Sequence, residues 1–358
     1  MPYIHSVSCA LPDHYYDQEA LIEGLLKQWS QRYFNPDRIA AFHRHVLVGG
    51  RHLALPIEDY ENLTGLQARN DAWLRVSLDL VEKAVSDLLE RSGIQAQDIG
   101  LLASSTVTGL AVPSLEARLM NRLPFASSTK RLPIFGLGCL AGVAGINRAA
   151  DYLLGHPQEA AIFLTVELCS LTLQREDLSV ANIISSGLFG DGGAAVLLLG
   201  DDHPLASEAP MEILAWQSAF FPQTERVMGW DIVDTGFKVV LSPDVPKIAA
   251  SEMPRATEAV CQAAGVNSED LAFAVAHPGG PKVLEAMEEA LPFPAGAFQK
   301  TWDSLATHGN MSSVSVLFVL AQTLEQPPQD GELGLMISMG PAFCAELGVL
   351  RCHRPQVS

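Results

Sequence analysis

One segment of the chain repeats apolar residues at helical spacing. The apolar positions between residues 69 and 91 lie three or four residues apart: Leu74, Leu78, Val81, Val85 and Leu88. This spacing places them on one face of a helix, and Gly93 follows as a residue type that commonly ends one. The pattern predicts an amphipathic helix.

Beyond this helix, short apolar runs alternate with helical segments. The runs are GLLASSTVTG, KRLPIFGLG, EAAIFLTVE and GGAAVLLLG. Continuous apolar runs of this kind are typical of strands that crossover helices cover on both faces. The predicted fold class is α/β.

The sequence also repeats itself. A strand-like run precedes LEARLMNRLPF, which begins at Leu115, and another precedes LEAMEEALPF, which begins at Leu284, an offset of about 169 residues. If the same offset applies along the chain, the helix N-termini at Cys139 and Asn310 are counterparts, and His277 is the counterpart of Thr108. The segment AAVLLLG then corresponds to LGLMISMG. We therefore expect two similar halves, 1–205 and 206–358, with these four residues converging. A chance likeness between amphipathic helices is the alternative.

Composition narrows the choice of partners and compartment. Lys and Arg total 23 against 41 for Asp and Glu, and this formal charge of −18 repels nucleic acid phosphates. The N-terminal residues lack a secretion signal, and no apolar run is long enough to span a membrane. Six cysteines without a CxxC pair favour reduced thiols and a cytoplasmic setting. His43 and His45 have no partner motif, so we expect no metal.

Cys139 is the first candidate for chemistry. It lies in FGLGCLAGVAG, between an apolar strand and a helix that begins with small or apolar residues. The free N–H groups and dipole at a helix N-terminus favour an anion, so we expect a thiol that ionises readily. The alternative is a small core residue at a tight turn.

Two further residues complete a catalytic set. His277 ends LAFAVAHPGGP, an apolar strand that leads into a Pro/Gly turn, and Asn310 lies in HGNMSS before another apolar helix. Individually they would pass for a core histidine and a helix cap. Together with Cys139, they supply a nucleophile, a base and a neutral donor for an oxyanion.

Two other chemistries fit parts of the sequence. Gly136, Gly138 and Ala141 satisfy the G-x-G-x-x-G/A fingerprint, and Glu167 ends the next strand as a ribose-binding acid would, which indicates a dinucleotide-dependent oxidoreductase. That interpretation leaves His277, Asn310 and the repeat unexplained. The order Cys, His, Asn also occurs in papain-like proteases, but their cysteine-flanking sequence is absent.

Several motifs together resemble one family. GLGCLAG, VELCSL, GLFGDGGAA, AHPGGPKVLEA, GNMSS and MGPAFCAEL occur in the order and spacing of type III polyketide synthases. The segments TVTGLAVPSLEAR and MGWDIVDTGFKVVLSPDVP resemble the bacterial long-chain alkylpyrone and alkylresorcinol synthases more than the plant chalcone synthases. The resemblance implies a duplicated five-layer αβαβα thiolase fold, a homodimer, and acyl-CoA and malonyl-CoA as substrates with no bound cofactor.

The resemblance also implies individual roles. Cys139 would be the nucleophile, His277 and Asn310 the decarboxylation and oxyanion pair, and Phe189 a gate between the CoA tunnel and the cavity. Val239 stands where plant enzymes have a second aromatic. The matching cavity-wall positions are Thr108, Cys169 and Thr172, and the small side chains at the first two favour a fatty acyl starter with a pyrone or resorcinol-type product. Trp230 falls near a glycine of the plant enzymes.

Coenzyme A needs a local cationic surface on this acidic chain. The segment from residue 31 to 52 contains four arginines and only one acidic residue, an aspartate. The arginines are Arg32, Arg38, Arg44 and Arg51. Similar enzymes contact CoA phosphates here, and Lys282 is a further candidate. Two other condensing enzymes of the superfamily are alternatives to a polyketide synthase: a ketoacyl synthase III and a hydroxymethylglutaryl-CoA synthase. A non-enzymatic alternative is an inactive scaffold that keeps the fold to bind a partner.

Overall fold

The computed structural model describes residues 1–29 and 35–353. Its main sheet has nine strands in the order β11-β12-β13-β8-β1-β7-β6-β4-β5, and two two-stranded sheets, β2-β3 and β9-β10, lie outside it. The strands are β1 (Tyr3–Ala10), β2 (His14–Asp17), β3 (Gly50–Leu53), β4 (Ile99–Thr106), β5 (Lys130–Phe135), β6 (Ala160–Leu168), β7 (Asp191–Leu199), β8 (Met211–Phe220), β9 (Met228–Val233), β10 (Gly236–Leu241), β11 (Leu271–Ala276), β12 (Leu333–Gly340) and β13 (Cys344–Cys352).

Ten helices accompany the strands in the described ranges. They are α1 (Gln18–Trp29), α2 (Pro36–His45), α3 (Gly65–Ser92), α4 (Leu115–Leu119), α5 (Ala141–Gly155), α6 (Val180–Leu188), α7 (Val245–Ala264), α8 (Pro281–Ala290), α9 (Gln299–His308) and α10 (Ser315–Glu325). The predicted amphipathic helix is α3, which Gly93 ends in the left-handed conformation with φ +71°.

The strands fall into two sets with the same local topology. In one set β4 and β6 are parallel, and β7 and β1 follow antiparallel. In the other, β11 and β12 are parallel, and β13 and β8 follow antiparallel. The sets meet where Tyr3 and Ile4 of β1 pair with Glu212 and Met211 of β8. This correspondence supports our proposal of two related halves that divide near residue 205.

Five layers result from the packing of the helices. Helices α5 and α10 contact strands of both sets and lie between them, while α3 packs on the outer face of one set and α7 on that of the other. Most residues of α5 and α10 that face these strands are apolar and fully buried, among them Ile146 and Leu317, and the buried Asn147 donates to the Glu346 side chain of β13. The predicted thiolase fold of layers αβαβα is confirmed.

The predicted register of the repeat is wrong in two places. AAVLLLG lies in β7, whose counterpart by topology is β13, whereas LGLMISMG is β12, the counterpart of β6. Apolar runs buried on both faces carry no alternation that would distinguish neighbouring strands. The second error concerns the helix starts. Gly138 (φ +53°) and Ser312 (φ +50°) open equivalent 3-10 turns before α5 and α10, so Ser313, and not Asn310, is the counterpart of Cys139.

Three further findings concern the described residues. None of their helices is long and apolar enough to cross a membrane. No group of three His, Cys, Asp or Glu side chains among them is arranged to hold a metal ion. Cys9, Cys139, Cys169, Cys261 and Cys344 are free thiols.

Candidate active site

Cys139 lies in the 3-10 turn that leads into α5. Its Sγ is 3.5 Å from the Ser312 Oγ, which belongs to the equivalent turn before α10. The two turns approach so closely that a Cβ on Gly142 would lie 2.4 Å from the Ser313 carbonyl oxygen. Only glycine allows this contact, which explains the small residues around the nucleophile.

His277 follows β11 directly, and its backbone N–H donates to the Ile337 carbonyl, 2.9 Å away on β12. The side chain is 4% exposed. Neither ring nitrogen has a hydrogen-bond partner in the described part of the chain. A buried imidazole with two unpartnered nitrogens is a donor or acceptor available to a ligand.

The backbone holds Asn310 in place. Its N–H donates to the Leu188 carbonyl (2.9 Å), and its carbonyl accepts from the Gly190 N–H (3.0 Å). These two hydrogen bonds form a β-bridge between Asn310 and Phe189. The side-chain Oδ1 accepts from the Ser312 N–H at 2.8 Å, and Nδ2 donates to the Gly279 carbonyl at 3.3 Å. Because the Ser312 N–H needs an acceptor, this contact identifies the oxygen of the amide and places the Nδ2 donor on the opposite side.

These three side chains meet in one cavity of about 520 Å³. Cys139, His277 and Asn310 come from separate elements distant in sequence, and Ser312 lies among them. Sequence reasoning missed Ser312, although the GNMSS motif contained it. The cavity continues past Phe42 and Val46 to Lys282, which is exposed. It therefore forms a passage from the surface to the sulfur.

Burial dominates the electrostatics of the catalytic pair. It raises the pKa of the Cys139 thiol to about 12, although the Ser312 contact lowers it in part. Burial also lowers the pKa of His277 to about 3. Both shifts run against the expectation of a readily ionised thiol, because loss of hydration disfavours the charged form of each group.

Phe189 and Trp230 stand between two cavities. Together with Val239, they line both the catalytic cavity and a second cavity of about 660 Å³. Their ring centroids are 6.2 Å apart. Cys169 and Thr172 line the second cavity, as do Arg51 and Tyr60. Trp230 also lines a third cavity, of about 230 Å³, so it touches all three.

Thr108 does not line any of these cavities. Its hydroxyl donates to the Glu167 Oε2 at 2.8 Å and accepts from the Leu168 N–H. Glu167 is fully buried and also accepts from Ser313, which leaves it no access to a ribose. Burial raises the pKa of Glu167 to about 7. This burial removes the main support for the oxidoreductase interpretation.

The arginines predicted at the CoA portal differ in their surroundings. Arg38 is exposed over the Phe42 ring, and Arg44 is exposed in an ion pair with Glu19 at 2.7 Å. Arg51 is 3% exposed, and its guanidinium bonds to protein carbonyls. Arg32 lies outside the described residues. The exposed candidates are thus Arg38, Arg44 and Lys282.

Comparison with known proteins identifies similar sequences along most of the chain. Residues 66–216 match the family described as FAE1/Type III polyketide synthase-like protein, and residues 212–353 match the C-terminal domain of chalcone and stilbene synthases. A 1,3,6,8-tetrahydroxynaphthalene synthase of Streptomyces peucetius subsp. caesius is 42% identical over 97% of this chain and 92% of its own.

Two further relatives extend this result. A putative chalcone synthase of Bacillus subtilis (strain 168) is 33% identical over 97% of this chain and 98% of its own. The crystal structure of the 1,3,6,8-tetrahydroxynaphthalene synthase of Streptomyces coelicolor A3(2) matches with a TM-score of 0.92 and 29% identity, over 98% of this chain and 99% of that one.

Proposed function

Because the chain belongs to the type III polyketide synthase family, enzymes that transfer acyl groups from CoA thioesters by condensation, we propose that it extends a starter by repeated decarboxylative Claisen condensation with malonyl-CoA. The observation that carries this proposal is the single cavity lined by Cys139, His277 and Asn310. The three provide a nucleophile, a proton carrier and an amide donor within one enclosed space.

Loading comes first in the proposed mechanism. The Cys139 sulfur attacks the thioester carbonyl of the acyl-CoA, and its proton passes to His277 as the C–S bond to CoA breaks. The CoA thiolate then takes up that proton and leaves. His277 is buried and Cys139 half-buried, so loss of hydration disfavours both the thiolate and the imidazolium before the substrate binds.

Extension follows on the same residues. The thioester oxygen of malonyl-CoA accepts hydrogen bonds from His277 and from the Asn310 Nδ2, and loss of CO₂ leaves its electron pair in an enolate held by these donors. The enolate carbon attacks the Cys139 thioester, which releases the sulfur as a thiolate. The thiolate attacks the thioester carbonyl of the lengthened chain, the C–S bond to CoA breaks, and the departing CoA thiolate takes up a proton from solvent.

For the product, we favour a polyhydroxylated aromatic ring. The 42% identical relative is named for 1,3,6,8-tetrahydroxynaphthalene. That compound has ten carbons with oxygen on alternate positions, so five malonyl-derived units account for it without a separate starter. Hydroxyl and amide side chains that suit an oxygen-rich chain line the second cavity: Tyr60, Ser170, Thr172, Asn182, Ser185 and Ser186.

A fatty acyl starter with a pyrone or resorcinol-type product is the second candidate. The observation that favours it is the size of the second cavity and the apolar side formed there by Leu21, Leu25 and Leu53. An alkyl chain gains free energy in proportion to the apolar area it buries against such side chains. Cys169 and Thr172, which line that cavity, have small side chains that leave room for an alkyl chain.

One experiment separates the two candidates. Purified protein is incubated with malonyl-CoA alone and with malonyl-CoA plus short, long and aromatic acyl-CoAs, and products are identified by mass. An aromatic product from malonyl-CoA alone supports the first candidate, and products that appear only with a long acyl-CoA support the second. One released β-ketoacyl chain without a ring indicates a ketoacyl synthase, and the absence of condensation in every mixture contradicts the proposal.

We also propose that the enzyme is a cytoplasmic homodimer. Val112 is 96% exposed, and Leu110 and Phe135 are also unusually exposed apolar residues. They lie at or just beyond the ends of β4 and the edge strand β5, and such a surface is favourable for association. Sedimentation of the wild type and of Val112→Asp tests this: a dimer that the substitution weakens is expected, and a monomeric wild type contradicts it.

A further inference from the structure

Arg51 occupies an unusual position for a residue of a cationic surface patch. It lies on β3, buried against the C-terminal end of α6. Its Nη1 donates to the Gly187 carbonyl at 2.8 Å and to the Gln18 Oε1 at 2.5 Å, and its Nη2 donates to the Ser186 carbonyl. Both terminal nitrogens of the guanidinium are thus bonded to protein, and only Nε has no partner in the described part of the chain.

The last carbonyls of a helix have no partner within the helix, and a cation there also interacts favourably with the helix dipole. Two other buried side chains assist Arg51. The Gln18 Nε2 donates to the Gly187 carbonyl at 3.0 Å, and the His43 Nε2 lies 3.0 Å from the Ile183 carbonyl. Arg51 is therefore the charged member of a buried cap on α6.

The cap is connected directly to the catalytic cavity. Helix α6 ends at Leu188, next to Phe189, and the bridge between Phe189 and Asn310 begins there. The Arg51 side chain also lies beside the backbone before Asn310, since a Cβ added at Gly309 would lie 3.6 Å from the Arg51 Cδ. One side chain thus bonds to the end of α6 and lies beside the segment that the bridge joins to it.

We propose that Arg51 is a positioning residue, which holds Phe189 and Asn310 in register so that the Asn310 amide reaches the malonyl thioester oxygen. It acts through the α6 cap and the bridge, while it also borders the second cavity. This inference rests on the proposed condensing function. Placement errors of a fraction of an ångström are enough to slow such reactions, because the donors must match the transition state.

The test compares Arg51→Lys with Arg69→Lys. Lysine keeps the charge but not the two-pronged donor geometry. Arg69 is a matched buried arginine, 8% exposed, whose Nη1 donates to the Leu171 and Leu173 carbonyls on a different segment. For Arg51→Lys we expect kcat for malonyl-CoA decarboxylation and for condensation to fall about tenfold, with KM changed less than about threefold. Arg69→Lys should lower the melting temperature without that loss of kcat.

A second readout does not depend on activity. Hydrogen exchange of the Gly190 and Asn310 amides, whose bonds form the bridge, should accelerate about tenfold in Arg51→Lys and not in Arg69→Lys. Unchanged exchange at both amides overturns the inference, as does a raised KM with normal kcat, which indicates anion binding. If the wild type does not condense, the proposed function fails, and the exchange data alone decide whether Arg51 positions the bridge.

Discussion

The Cys139 Sγ lies 3.5 Å from the Ser312 Oγ, whereas the nitrogens of His277 have no hydrogen-bond partner in the described part of the chain. Neither catalytic group has an ionic hydrogen-bond partner among the described residues, and both line the catalytic cavity. Loss of hydration raises the pKa of the thiol and lowers that of the imidazole, so it favours the neutral form of each.

Alkylation of Cys139 tests this charge state. A thiol whose pKa lies above its usual range has a thiolate fraction that grows with pH, so the iodoacetamide rate at Cys139 should rise about tenfold per unit between pH 7 and 9. Peptide mass spectrometry follows this site separately from the other cysteines. His277→Gln should change that rate little while it abolishes condensation. A rate that is already constant below pH 7, and that His277→Gln lowers, would show a preformed ion pair.

Asn310→Asp separates the two functions of the Asn310 side chain. The aspartate keeps an acceptor for the Ser312 N–H but loses the amide donor. We expect decarboxylation and condensation to fall about a hundredfold, because one oxyanion donor typically contributes that much. Cys139→Ala should instead stop condensation and retain decarboxylation. Radiolabelled CO₂ release and product mass measure the two steps, and normal condensation by either variant would contradict these roles.

The sequence was sufficient to predict the fold class and the convergence of the catalytic residues, because both predictions depend on short sequence patterns. Cys139, His277 and Asn310 each lie where an apolar element gives way to glycine or a turn, and such junctions are visible in a linear pattern. Arg51 could not be placed in this way. A run of arginines is the same whether one of them points to solvent or caps a buried helix, and the distinction depends on packing against α6, which is distant in sequence.

Lys282 is an exposed cation that lines the passage to Cys139, and its substitution tests the CoA portal. Lys282→Ala should raise KM for malonyl-CoA about fivefold at low salt, with kcat unchanged, and the difference should shrink as salt screens the charge. Lys247→Ala removes the same charge from an exposed site on α7 that lines none of the three cavities. Equal effects of the two substitutions would indicate that net charge alone acts. A changed kcat for Lys282→Ala would place this residue in the chemistry.

Trp230 lies between the catalytic cavity and the second cavity. We expect a substitution that joins these two cavities to change the length of the product. Its indole lines all three cavities and packs 6.2 Å from Phe189, so Trp230→Ala removes much of the wall between the catalytic cavity and the 660 Å³ cavity. A growing chain then has more room before ring closure, and we expect products with at least one more two-carbon unit, read by mass. Trp216→Ala is the matched control, since that partly buried indole bonds to Asp151 away from the cavities. An unchanged product distribution with Trp230→Ala would mean that this wall does not limit chain length.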